Sequence, residues 1–77
     1  MRYDQAEEYL LKAVEREPTD PTIRSHLGDV YFKSGRAAQA RVEWSKALEE
    51  WQRLPKTEVD EEEISKIQQK LQGSAVP

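Results

Sequence analysis

Shifted by 34 residues, the chain falls on itself: Arg2 meets Arg36, Gln5 meets Gln39, Ala6 meets Ala40, Lys12 meets Lys46, Ala13 meets Ala47 and Glu15 meets Glu49. The large apolar sites coincide as well, Leu10 with Trp44 and Val14 with Leu48. A period of this size marks a solenoid of helix pairs, in which no unit buries its apolar face without a neighbour. With 77 residues in all, there is room for one small domain with a thin core. The stretch from Leu27 to Ala47, which bridges two short helices, therefore organises the rest.

The helices follow from spacing and punctuation. Tyr3, Ala6, Leu10, Ala13 and Val14 recur at helical intervals, and Pro18 ends that helix because it disfavours helical geometry in the residue before it. Asp20 can cap the free amides of a new first turn, and Pro21 suits the first helical position, where a missing N–H costs nothing. Ile23, Leu27, Val30 and Tyr31 form the stripe of this second helix, which Gly35 ends as a left-handed residue. The third helix, about Ala37 to Leu54, carries Ala40, Trp44, Ala47, Leu48 and Trp51 on one side, and Pro55 closes it. Thr57-Glu58-Val59-Asp60 resembles a capping box with Asp in place of Glu or Gln; it opens a fourth helix with Ile64, Ile67 and Leu71 as its stripe. Gly73 to Pro77 reads as a fraying tail. The connections are short, so neighbouring helices are antiparallel, and the fold class is all-α: a stack of helix hairpins, about four helices in total.

Composition narrows the chemistry. Apolar residues make up 36% and charged residues 35%, which suits helices with narrow apolar stripes, and a net charge of −3 with interleaved signs offers no basic field for nucleic acid. The absence of cysteine removes disulfides, thiolate metal sites and a cysteine nucleophile, and the single His26 cannot build a histidine metal site. No apolar run approaches the roughly 18 residues of a membrane span, and Met1-Arg2-Tyr3-Asp4 opens into an amphipathic pattern rather than a signal peptide. No membrane contact is expected. Nothing in the residues fixes a compartment, although a soluble, cytoplasmic setting is favoured.

From Arg24 onward the residues resemble the tetratricopeptide repeat (TPR) family. Its pattern of W-x-x-L-G-x-x-Y, A-x-x-x-F, A and P is met by Arg24-x-x-Leu27-Gly28-x-x-Tyr31, Ala40-x-x-x-Trp44 and Ala47. The resemblance implies a right-handed solenoid: the second-helix half of one repeat in residues 1–18, a complete repeat in 21–54, a capping helix in 57–73 and a frayed tail in 74–77. Arg24 replaces the family's aromatic, which suggests that this edge meets water or a partner rather than core. At the same 34-residue offset nothing after Pro55 repeats Leu27-Gly28 or Tyr31, so the fourth helix reads as a polar cap. Gly28, Ala40 and Ala47 are small where the two helices cross, which lets Leu27, Tyr31 and Trp44 fill the space beside them. Trp51 is expected against the fourth helix.

No nucleophile and base are held together in a concave site, so catalysis and a cofactor are not expected. Ser25 and His26 point about 100° apart on a helix, as neighbours at 3.6 residues per turn must. His26 and Asp29 read as a solvated pair. The resemblance implies instead a non-catalytic scaffold that binds a peptide or helix on the concave side, through Thr22, Ser25, His26, Asp29, Phe32 and Lys33. Phe32 lies outside the stripe and is either an exposed aromatic anchor or covered by an adjacent repeat. The carboxylate-gripping subclass of the family is not expected, because His26 and Asp29 stand where asparagines are needed. The chain opens within a repeat, so it is expected to be the C-terminal piece of a longer protein. An alternative reading is a homodimer formed through that incomplete edge.

Overall fold

The computed structural model describes residues 3–75, in four helices: α1 (Tyr3–Arg16), α2 (Pro21–Lys33), α3 (Ala37–Arg53) and α4 (Glu61–Ala75), with one 3-10 turn, Lys56–Glu58, before the last. Arg2, Val76 and Pro77, which the repeat match and the expected tail include, lie outside the described residues.

The turns are coded locally. At the start of α2 the Asp20 carboxylate accepts from the Thr22 and Ile23 amides at 2.9 and 3.4 Å, and Pro21 occupies the first helical position. At its end Gly35 has φ 85°, the Gly35 amide donates to the Phe32 carbonyl at 3.1 Å and the Arg36 amide to the Tyr31 carbonyl at 2.8 Å. These two bonds are a Schellman cap, which needs a left-handed residue at that one position. The turn delivers α3 antiparallel to α2, and this hairpin forms the largest helix contact in the fold.

The core is the cluster Leu27, Tyr31, Ala40, Trp44, Ala47, Trp51 and Ile67, with Leu10, Val14, Leu48, Leu54, Ile64 and Leu71 packed around it. Trp51 shares this core with the α4 residues Ile64, Ile67 and Leu71. Close approach is centred on Gly28: a Cβ there would stand 2.5 Å from Cδ1 and Nε1 of Trp44, so the indole lies directly on α2 backbone. Ala40 and Ala47 are fully buried on either side.

Two expectations change. Arg24 does not mark a wet edge: its guanidinium is mostly buried, donates to the Glu43 carboxylate at 3.0 Å and, through Nε, to the Pro18 carbonyl at 3.0 Å. An ion pair here replaces an aromatic contact, and it ties α2 to α3 and to the end of α1. The fourth helix also begins later than Thr57. Asp60 is the cap, its Oδ1 accepting from the Glu62 and Glu63 amides at 3.1 and 3.2 Å, and the helix continues through Gly73 to Ala75, where a frayed tail was expected.

The capping aspartates reveal a second register. Counted from Asp20 and Asp60, a shift of 40 residues lays Ser25 on Ser65, Leu27 on Ile67 and Tyr31 on Leu71, with Ile64 in the place of Arg24. Leu27 and Ile67 are the two largest side chains that are wholly buried. α4 is thus a diverged copy of α2, entered six residues late because α3 runs three residues beyond Glu50, the equivalent of Arg16, and the connection through Pro55 and the 3-10 turn is three residues longer than that between α1 and α2. It packs on α3 about as fully as α2 packs on α1.

Candidate functional site

Where α2, α3 and α4 meet, one carboxylate joins all three. Oδ1 of Asp29 accepts from the Trp44 indole N–H at 3.1 Å and from the Lys70 ammonium at 2.8 Å. The same ammonium stands 5.7 Å from the centre of the Trp44 ring, within reach of a cation–π attraction. Gly28 is what allows the indole to lie low enough for its N–H to reach Asp29.

Above this junction lies an open groove of about 590 Å³, lined by Asp29, Phe32, Lys33, Trp44, Lys70 and Gly73. Phe32 forms one wall, its ring 5.6 Å from that of Trp44 at an interplanar angle of 42°, and it remains 49% exposed. The expected alternatives for Phe32 resolve in part: α4 does not cover it, and it stands open at the rim of an aromatic floor. Since Asp29 is already engaged by Lys70, the rim carries two lysines against one compensated carboxylate. Its local charge is therefore positive on a chain whose net charge is −3.

The other candidates divide. Lys33 lines this groove, whereas His26 is exposed and lines a second groove of about 360 Å³ between α1 and α2, with Tyr9, Leu10 and Val30. Asp29 and Lys33 line both. Thr22 lies at the opposite end of α2, beside Trp51 and Leu54. Ser25 is a correction: it is 4% exposed and sits inside the helix packing, so no partner can reach it. Asp29 is directed towards Trp44 and Lys70, which replaces the solvated pairing with His26 that the spacing suggests. Trp44 and Lys70 complete the site and were not legible as candidates, Trp44 because its role in the core accounts for it fully, Lys70 because its place depends on the register of α4.

Two further groups carry electrostatic consequences. Arg36 donates from both terminal nitrogens to the Glu7 carboxylate and lies 4.8 Å from the centre of the Tyr31 ring. The hydrogen bond to Glu7 raises the Arg36 pKa further, so this clamp between α1 and the turn after α2 stays charged. Burial, then the charges of Glu7 and Glu43, hold the Tyr31 phenol above its ordinary 10.0. Among the described residues there is no group of three acidic or histidine side chains placed to hold a metal ion, and no helix long and apolar enough to cross a membrane.

No curated protein and no solved structure matches the chain. A family model described as tetratricopeptide repeat matches residues 2–71, a span that takes in the half repeat, the complete repeat and most of α4. The family is generally a non-enzymatic scaffold that mediates protein–protein interaction. With its helix pairs, its small-residue crossing at Gly28 and this match over nearly all of its length, the chain belongs to the tetratricopeptide repeat family.

Proposed function

We propose that this chain is a non-catalytic interaction module that holds a peptide or the end of a helix in the groove between α2 and α4. The observation that carries this reading is Phe32: a large aromatic side chain, half exposed, beside Trp44 and between two lysines. A bulky apolar side chain of a partner would be desolvated against Phe32 and Trp44, and aromatic anchors of this kind dominate interface energetics. Lys33 and Lys70 favour a neighbouring carboxylate on the partner, mainly by steering and orientation. The core already accounts for Leu27, Tyr31 and Ala47, which leaves the groove residues as the part of the repeat free to recognise something.

The test is a selection of random peptides on the immobilised chain, followed by titration of the winners against Phe32→Ala and Lys33→Glu. Selected peptides should combine a bulky apolar residue with an acid, and each substitution should weaken binding at least tenfold. Phe32 and Lys33 are exposed, so both variants should keep the parental helix signal. Peptides that bind both variants as tightly as the parent would place recognition elsewhere.

A further inference from the structure

The chain holds three glycines, and the fold requires two of them. Gly35 takes the left-handed φ of 85° that ends α2, and Gly28 lets the Trp44 indole lie on the α2 backbone, where a Cβ would stand 2.5 Å from the ring. Gly73 has neither reason. It lies inside α4 without a positive φ, and among the described residues nothing comes within 4 Å of a Cβ built on it. Glycine is among the poorest helix formers, so alanine would make a better α4 at no cost in packing. A glycine that neither a turn nor a core explains asks for another cause.

Its position supplies one. Gly73 lines the groove together with Lys70, one turn earlier on α4, while α2 contributes Phe32 and Lys33 and α3 contributes Trp44. The openness at Gly73 does not come from its lying late in the chain. Its equivalent at the shift of 40 is Lys33, which is exposed even though α2 is flanked by both α1 and α3. This register position faces the groove side of either helix, and a helix packed after α4 would leave Gly73 open just as α3 leaves Lys33 open.

The groove therefore presents bare helix backbone at this point, and the fold already shows what such a surface takes. At Gly28 the bare backbone of α2 carries a flat indole, with the Lys70 ammonium 5.7 Å from the ring centre and the Phe32 ring tilted against it at 5.6 Å. At Gly73 the same parts recur: backbone without a side chain, the same lysine one turn away, and the half-exposed ring of Phe32. A planar ring can lie close on such a backbone where a thicker aliphatic group cannot. Lys70 adds a cation–π attraction and Phe32 an aromatic contact, neither of which an aliphatic side chain can answer. Around this spot Lys33 and Lys70 face a single carboxylate, Asp29, which Lys70 already engages, so the complementary neighbour is acidic.

We propose that the groove selects an aromatic side chain from an acidic segment of a partner protein, and that its ring lies flat on the α4 backbone at Gly73, between Phe32 and Lys70. This narrows the interaction reading above and rests on it.

Two synthetic peptides of aspartate and glycine, one with a central phenylalanine and the other with cyclohexylalanine in its place, are titrated into the chain and followed by NMR. The phenylalanine peptide should bind about fivefold more tightly. Gly73→Leu should weaken its binding about tenfold, and Gly73→Ala by a smaller factor. Both variants should nevertheless melt at or above the parent, since each replaces a poor helix former. Affinity lost while stability is kept or gained is a pattern that a merely structural glycine does not produce. Phe32→Ala separates the inference from the reading beneath it. If that variant abolishes binding but the two peptides bind the parent equally, or the Gly73 variants bind as the parent does, the groove stands and the aromatic seat on α4 is overturned. If neither peptide binds at millimolar concentration, or Phe32→Ala leaves binding intact, the interaction reading fails and the inference fails with it.

Discussion

Replacing Gly28 by alanine sets two effects of known sign against each other. Alanine is the better helix former, by about 1 kcal/mol in a helix interior. Its methyl group, however, would stand 2.5 Å from two atoms of the Trp44 ring, so the indole or the α2 backbone must move by about 1 Å to restore ordinary contact. Overpacking of this kind costs about 1–3 kcal/mol. The indole also carries the hydrogen bond to Asp29, and loosening it removes about 1–1.5 kcal/mol more. The sum is a net loss of about 1–3 kcal/mol, which for a domain of this size lowers the melting temperature by about 5–20 °C.

Thermal unfolding followed by circular dichroism measures this directly, with Gly73→Ala as the control. Gly73 lies in α4 with nothing within 4 Å of a Cβ built on it, so the propensity gain should appear alone, as a small rise. In a Trp44→Leu background the penalty of Gly28→Ala should vanish, because leucine does not reach over the α2 backbone. If Gly28→Ala melted at or above the parent, or if its cost were the same with Trp44 removed, the steric account of this glycine would be wrong.

Two further outcomes are expected. Arg24→Met leaves Glu43 buried without its closest partner, and urea denaturation should show a loss of about 2–4 kcal/mol, moderated by Lys46 at 3.8 Å; adding Glu43→Leu should recover most of it. The raised pKa of Tyr31 means that the folded chain holds the phenol proton longer than the unfolded chain. The associated stability is complete below pH 10.0 and is lost as pH rises through the folded value, so the parent's melting temperature should fall more steeply than that of Tyr31→Phe above pH 10.0.

What could be read from the residues was whatever is encoded within one turn. Asp20-Pro21 and Gly35 act through their own amides and dihedrals, and the structure uses them as their chemistry demands. The stripe Leu27, Tyr31, Ala40, Trp44 and Ala47 was equally legible, because helical period fixes which side chains share a face. Arg24 was misread because a charged residue in an apolar stripe says nothing by itself about a partner nineteen residues away at Glu43. Ser25 was misread because a small polar side chain costs little to bury and looks the same in sequence on either side of a helix.

The groove itself depends on a relation that no single repeat contains. Between α1 and α2, Leu10 and Val30 share an apolar groove. Their equivalents one unit later are Trp44 at a shift of 34 and Lys70 at a shift of 40, so an aliphatic junction becomes an indole beneath an ammonium. The cation needs a counter-charge, and Asp29 supplies it from α2 while also taking the indole N–H. Polar atoms now do at this junction what methyl groups do at the other, and they fill it less completely, which leaves the open volume beside Phe32. Counted from the capping aspartates, Lys70 is the α4 equivalent of Val30, which is why it stands at this position. The groove is thus tied to the residue that α4 carries at this register position: an ammonium in the place of an aliphatic side chain sets both its floor beside Trp44 and its charge.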